Sequence, residues 1–407
     1  MKSASPASAP PWLTLVGIGE DGRASLSHAA LEAIAQASLV VGGRRHLALL
    51  GAVEADCLTW ATPMEDTYPA ILRRRPSSVC VLASGDPFCF GVGSVLARQV
   101  PAEEMRCVPQ PSAFSLAAAR LGWAQQDCAT LSLCGRPLET LVPALQPGVQ
   151  LLALSADAAT PTHVAELLRR RGFGTSSITV LEAMGGPRER IRTAPARGFD
   201  LDGIDPLNTL AIVVDGIGPT LPLVPGRPDA LFDHDGQITK SDIRAVTLAR
   251  LAPRRGEVLW DVGAGSGSVG IEWMLVHPAN RAHAVERDSA RAARIRCNAA
   301  ALGVPDLAVV EGLAPEAFSG LPSPDAVFVG GGATVPGLLD AGLQALKRGG
   351  RLVVNAVTIE SQAALIACFR QHGGHLSTIA LARADPVGGF HGWRNAMPVT
   401  QWTWVKP

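Results

Sequence analysis

Apolar and polar positions along the chain change period again and again. Short continuous apolar runs, about five to eight residues long, alternate with stretches whose apolar positions return at helical spacing. `WLTLVGIG` (12–19), `SVCVLAS` (78–84), `VQLLALS` (149–155) and `NTLAIVVDG` (208–216) read as buried strands. `LSHAALEAIAQA` (26–37) and `THVAELLRRRG` (162–172) read as amphipathic helices, the second closed by Gly172. The alternation breaks at `GIGPTLPLVPGRPDALFDHDGQ` (216–237), which has four prolines and neither period. This predicts a linker over 217–236, between a first domain (1–216) and a second (237–407). The second repeats the strand–helix alternation and ends in two strand-like runs, 377–385 and 399–405, which predict a terminal hairpin. The fold class expected throughout is α/β.

Bulk properties narrow the function classes. A chain of 407 residues exceeds one ordinary core, in keeping with two domains. With 36 basic and 36 acidic residues it lacks the cationic surplus of a nonspecific nucleic-acid binder. The eight cysteines (57, 80, 89, 107, 128, 134, 297 and 368) form no C-x-x-C pair. They are expected to be buried thiols of a reducing compartment rather than disulfides or zinc ligands. `MKSASPASAPPW` has no signal-peptide character, and no apolar run approaches about 18 residues. A cytoplasmic protein without membrane or nucleic-acid partners and without a metal is expected.

The chemistry concentrates at glycine-rich turns after strands. `VLWDVGAGSGSVGIEW` (258–273) is strand, turn and helix start. Gly265, Gly267 and Gly270 match the dinucleotide pattern G-x-G-x-x-G, whereas Asp261, Gly263, Gly265 and Gly267 match D-x-G-x-G-x-G of S-adenosylmethionine (SAM) methyltransferases. Glu286 ends the next strand and suits a ribose diol in either class. Three features favour SAM over a nicotinamide cofactor and an oxidoreductase. Asp261 sits before the first glycine. `VVEGLAPEAF` (309–318) offers small residues, Gly312 and Ala314, to a flat adenine. The terminal hairpin resembles the class I SAM methyltransferase fold, a Rossmann-like sheet. Upstream, Thr239 and Asp242 have the form of a capping box.

The first half carries a second glycine system. `VGIGEDGRASLS` (16–27), `LASGDPFCFGVGSVLAR` (82–98) and `VPQPSAFSLAAARLGW` (108–123) each end a strand in a turn. Singly each is an ordinary turn, and Ser112 an ordinary helix cap. In this order, with `LSLCGRP` (131–137) and `PLNTLAIVVDG` (206–216), they resemble the tetrapyrrole methylase family. That family's two α/β subdomains hold folded SAM in a cleft. The resemblance places SAM contacts at Gly85, Asp86, Ser112, Ala113, Met184 and Ala211. `VVGGRRHLALL` (40–50) resembles the branch acting on corrin precursors, with Arg44, Arg45 and His46 as a cationic substrate-binding knot or a solvated helix start.

Over 235–407, `TKSDIRA`, `DVGAGSGSVGIE`, `VFVGGG` and `LVVNAVTIES` resemble the separate decarboxylating corrin methylases. SAM contacts would fall on Thr239, Asp261, Gly263, Ala264, Gly265, Ser266, Gly267, Glu286, Gly312 and Ala314. Leu313 stands where the separate enzymes often carry arginine. The whole chain resembles fused methylases of cobalamin biosynthesis, which methylate C5 and C15 of a precorrin and remove the C12 acetate carboxyl. The resemblance implies two SAM sites, one per domain, a tetrapyrrole substrate and a homo-oligomer. A polycarboxylate substrate calls for cations, for which Arg44, Arg45, Arg244, His391 and Arg394 are the candidates.

Overall fold

The computed structural model describes residues 11–407, so most of the amino-terminal segment read above lies outside the described residues. The chain forms two compact units, one of Met1–Leu138 with Gln146–Pro219, the other of Glu139–Leu145 with Thr220–Pro407.

The first unit holds two sheets. β1 (Leu13–Ile18), β2 (Leu39–Gly42), β3 (Asp56–Thr59), β4 (Val79–Ser84) and β5 (Met105–Val108) make a parallel sheet in the order β3-β2-β4-β1-β5. Its inner strands β1, β2 and β4 are apolar at nearly every position because both faces are covered, whereas the edge strand β3 is largely exposed. Leu13, Leu15, Val41, Val79 and Val81 pack on one side, and Val16, Ile18, Val40, Cys80 and Leu82 on the other. Its connections hold α1 (His28–Ala35), α2 (Arg44–Leu50), α3 (Tyr68–Leu72) and α4 (Gly93–Leu96). After α5 (Ala113–Leu121) comes a mixed sheet, β6 (Ala129–Ser132), β7 (Gln150–Leu154), β8 (Ser177–Glu182), β9 (Arg190–Pro195) and β10 (Asn208–Val213), ordered β6-β7-β10-β8-β9. α6 (Thr160–Arg170) lies between β7 and β8, and Gly172 follows it with a φ of +82°.

The second unit is a seven-stranded sheet. β11 (Val258–Val262), β12 (Arg281–Glu286), β13 (Ala308–Glu311), β14 (Ala326–Val329) and β15 (Arg351–Ala356) are parallel. Successive residues again serve opposite faces: Leu259, Ala284 and Phe328 join one core, Trp260, Val262, Val327 and Val329 the other. Helices α7 (Ser241–Leu251), α8 (Ser268–Val276), α9 (Ser289–Ala301), α10 (Leu338–Ala345) and α11 (Ile359–His372) accompany the strands.

The carboxy-terminal runs pair as expected. β16 (His375–Ile379) lies antiparallel to the last strand, which inserts beside β15, so the order is β13-β12-β11-β14-β15, last strand, β16. Between the two runs the chain makes a separate ribbon, β17 (Ala382–Val387) and β18 (Phe390–Asn395), before β19 (Val399–Val405). The run 377–385 is therefore divided between two sheets.

Three further expectations change. The proline-rich stretch is packed over part of its length: Phe232 is in the core of the second unit, and the amides of Gly226 and Arg227 donate to Glu272 (2.7 and 3.0 Å). The capping box at Thr239 does not form. α7 starts after Lys240 with no side-chain cap, and Asp242 pairs with Arg383 instead. Of the cysteines only Cys80 is buried, its thiol pushed up to about 12 by burial; Cys57, Cys134 and Cys297 are exposed, and all are free thiols. Among the described residues no helix is long and apolar enough to cross a membrane.

Candidate active sites

In the second unit the site grows from the end of β11. Gly263, Gly265 and Gly267 have φ of +68°, +60° and +75°, the left-handed region in which a side chain is strained. Space is also short, since a Cβ on Gly267 would lie 2.7 Å from Ile295 Cγ2 of α9. The amides of Gly263 and Ala264 donate to Val285 O (3.0 and 3.2 Å), tying the turn to β12. Glu286, buried at the end of β12, accepts from Gly265 N through Oε2 (2.9 Å) and from Asp288 N through Oε1 (3.0 Å). Its carbonyl accepts from Gly312 N (3.0 Å). One residue thus joins the glycine turn to the loop after β13.

Asp261 lies beneath this turn. Its Oδ2 accepts from Gly270 N (2.8 Å), while Oδ1 has no partner. Burial, countered by the Gly270 amide and reinforced by the charge of Glu286, raises the carboxyl to about 7. The Oγ of buried Ser266 is likewise without a partner. A Cβ on Gly265 would sit 3.0 Å from Gln237 O, so the segment leading to Thr239 lies against the turn. Ala314 packs with the cluster that holds Trp260 and Phe318. Orphaned polar atoms, fixed backbone amides and a cradle with no room for side chains fit SAM, a ligand with ribose hydroxyls and a positive amino-acid arm.

Arg244 does not belong with these residues. Its guanidinium is sealed from solvent: Nε donates to Glu272 Oε1 (2.7 Å), Nη1 to Asp229 Oδ1 (3.1 Å) and the Thr239 carbonyl, and Nη2 to the Arg227 carbonyl. It also stands over the Phe232 ring. With every nitrogen engaged, it holds the start of α7 rather than a substrate carboxylate. His391 and Arg394 are exposed on the β17–β18 ribbon, Arg394 paired with Asp385 at 3.0 Å.

In the first unit three loops meet at the strand ends. A Cβ on Gly17 would lie 1.9 Å from Gly85 O, and one on Gly85 2.6 Å from Pro111 O, so backbone packs on backbone there. Asp86 Oδ1 accepts from Phe88 N (2.8 Å), and Ser112 caps α5 by accepting from Ser115 N (3.1 Å). Ala113, Met184 and Ala211, more than 90 residues apart in sequence at the extremes, share one cluster with Phe114 and Cys89. An apolar floor below a polar loop end is the arrangement a nucleoside with a charged tail requires.

Beside it Arg45 and His46 open α2, with Arg44 exposed. Arg45 pairs with Glu20, and Glu20 Oε2 accepts from Arg188 Nη2 (3.1 Å), whose other nitrogen meets Asp205. Arg45 Nη2 also donates to Ser84 Oγ (2.7 Å), which lies 2.9 Å from His46 Nε2. Sequence reasoning missed Glu20, Ser84 and Arg188. Glu20 and Arg188 are 168 residues apart, with no motif linking them.

An α/β sheet with an inserted antiparallel last strand and a glycine turn anchored by Asp261 and Glu286 is the architecture of a SAM-dependent methyltransferase. The precorrin methyltransferase domain family matches residues 230–406, and the tetrapyrrole (corrin/porphyrin) methylase family matches residues 12–200. The chain is 52% identical to a precorrin-6Y C(5,15)-methyltransferase (decarboxylating) of Sinorhizobium sp, covering 100% of this chain and 99% of the relative. It is 38% identical to a probable cobalt-precorrin-6B C(15)-methyltransferase (decarboxylating) of Pyrobaculum calidifontis, over 41% of this chain and 88% of that one. It is 33% identical to a cobalt-precorrin-7 C(5)-methyltransferase of Salmonella typhimurium, over 47% and 94%. The chain belongs to the family of decarboxylating precorrin-6Y C(5,15)-methyltransferases. It is a SAM-using C-methyltransferase, and the dinucleotide reading of the glycine turn is set aside.

Proposed function

We propose that this chain carries two methylation sites, one per unit, acting on a single tetrapyrrole. The first unit transfers a methyl group to C5; the second transfers one to C15 and removes the C12 acetate carboxyl, converting precorrin-6B to precorrin-8x. The observation that carries this reading is the presence of two glycine-lined strand ends with separate cores in one polypeptide. The names of the two half-length relatives, one C5 and one C15, support the division of labour. The functional halves are 1–216 and 237–407, in a cytoplasmic homo-oligomer.

Gly85, Asp86, Ser112, Ala113, Met184 and Ala211 hold SAM in the first unit. Thr239, Asp261, the turn Gly263–Gly267, Glu286, Gly312 and Ala314 hold it in the second. Bound SAM supplies a methyl group on a sulfonium, already electrophilic. What the protein adds is alignment of the ring carbon with that methyl at ~3–3.5 Å and exclusion of water, an effect that supplies about 7–11 kcal/mol of barrier lowering. Arg44, Arg45, His391 and Arg394 meet the substrate's carboxylates, each charge-assisted hydrogen bond contributing about 1.5–3 kcal/mol; His46 is uncharged, because burial and the neighbouring Arg45 lower its imidazole to about 4.

The test is incubation of the full chain with methyl-labelled SAM and precorrin-6B, followed by mass measurement and mapping of the label. Two labelled methyl groups and loss of carbon dioxide are expected. A single methyl group, or SAM binding at one site per chain by calorimetry, overturns the two-site reading.

A further inference from the structure

Loss of the C12 acetate carboxyl depends on the direction of one bond. The electron pair of the CH2–COO− bond must enter the ring's π system as carbon dioxide departs, so that bond has to stand across the plane of the macrocycle. Methyl transfer to C15 prepares the acceptor: π electrons of the ring form the new C–CH3 bond, the S–CH3 pair stays on sulfur, and the ring becomes an iminium. The pair left by carbon dioxide neutralises that cation and gives an exocyclic methylene at C12. The methylene then takes a proton from water to become methyl, and C15 gives its proton to water.

In the second unit, strand register places Asn355 at the glycine turn's level. Val262, Val329 and Val354 lie abreast on β11, β14 and β15, so the next residues, Gly263, Gly330 and Asn355, are level at the carboxyl ends of the strands. That end of an open α/β sheet is where ligands bind. Asn355 is half-buried there. The loops that follow β13, β14 and β15 expose Leu313, Val335 and Val357, apolar surface suited to the flat face of a macrocycle.

The Asn355 amide can sit only one way round. Buried Thr247 of α7 donates its hydroxyl hydrogen to Ile243 O (2.8 Å), so its oxygen can only accept. Asn355 therefore turns Nδ2 toward Thr247 (2.9 Å) and Oδ1 toward Gln401, its neighbour across β19, whose Nε2 donates at 2.9 Å. Gln401 Nε2 also reaches Thr247 Oγ1 (3.3 Å), while the buried Gln401 Oε1 has no partner. Among the described residues nothing accepts the second Nδ2 hydrogen of Asn355. An orphaned acceptor beside a fully oriented amide marks a network that aims Asn355 rather than one that satisfies its own atoms.

We propose that Asn355 binds the C12 acetate carboxylate through this free N–H and holds the CH2–COO− bond across the ring plane, with Thr247 and Gln401 as positioning residues. This rests on the assignment of C15 methylation and decarboxylation to the second unit. A neutral donor suits the step. A guanidinium would stabilise the carboxylate most before the reaction, yet that charge must vanish as carbon dioxide forms, so the barrier would rise. An amide directs the group while opposing its departure less.

The experiment uses the full chain with Asn355→Ala and, separately, Thr247→Val, supplied with methyl-labelled SAM and precorrin-6B labelled in the C12 acetate carboxyl. Calorimetry should show SAM binding unchanged. Release of labelled carbon dioxide should fall roughly 100-fold in Asn355→Ala, while methyl transfer to C15 slows far less. A C15-methylated product that keeps the labelled carboxyl should therefore accumulate. It should also appear, in smaller amount, with Thr247→Val, which touches no substrate but frees the amide to turn. A network that only ties β19 to α7 would lower the denaturation midpoint and slow both steps together. Unchanged release, or equal loss of release and methyl transfer, overturns the proposal. Persistence of both steps in a Gly267→Ala chain that no longer binds SAM in the second unit overturns instead their assignment to that unit.

Discussion

Arg244 and Glu272 are both sealed from solvent and joined by a 2.7 Å bond between Nε and Oε1. Glu272 also receives the Gly226 and Arg227 amides, so one buried carboxylate fastens the proline-rich stretch and α7 to α8. Removing one partner strands the other charge. Arg244→Ala and Glu272→Ala should each cost about 3–5 kcal/mol of the second unit's stability, read as a lowered denaturation midpoint. The fraction that remains folded should keep its substrate KM; a large KM rise at wild-type stability would return Arg244 to the substrate site.

Gly17 is where two loops touch. Alanine there would place a methyl 1.9 Å from Gly85 O, and backbone on both sides leaves nothing to yield cheaply. Gly17→Ala should lower the number of SAM molecules bound from two per chain to one by calorimetry. C15 methylation and decarboxylation should continue, with C5 methylation lost.

Asp261 predicts an inverted pH dependence. Its carboxyl titrates near 7 when folded, against about 3.9 when unfolded. Between these values the folded chain holds a proton that the unfolded chain has lost, so this group's contribution falls as pH rises, by about 1.4 kcal/mol per pH unit, and is fully lost above 7. Asp261→Asn keeps an acceptor for Gly270 N and removes the titration. The two proteins should differ least near pH 4, where the buried carboxyl is neutral like the amide, and wild type should fall progressively behind as pH rises to 7; parallel curves would contradict the assignment.

Arg394 stands on an exposed ribbon with Asp385 as its partner, a pair worth at most about 1 kcal/mol. Arg394→Ala should therefore leave the thermal midpoint almost unchanged. If it meets a substrate carboxylate, KM should rise roughly 10-fold or more; unchanged kinetics removes it from the site. His391→Ala tests the neighbouring position in the same way.

The glycine turns and the strands feeding them were legible because their causes are local. A left-handed turn needs glycine, and a strand covered on both faces needs an unbroken apolar run, so Gly263–Gly267 and `VLASGDP` announce themselves. The pairing of the last strand with β16 followed from two closely spaced strand-like runs, 377–385 and 399–405, while its insertion beside β15 was implied only by the resemblance to the class I methyltransferase fold. Where side chains end up depends instead on segments far away in sequence. Arg244 looked available on a helix until Glu272, Asp229 and the Arg227 carbonyl closed around it. Thr239 and Asp242 had the spacing of a cap, yet Arg383, 141 residues on, drew the aspartate away. The Glu20–Arg45–Arg188 chain and the Ser84–His46 pair exist only because two sheets and three loops converge. Periodicity determined the elements; charge pairing, which acts through space between partners of no fixed separation, was decided by the tertiary structure.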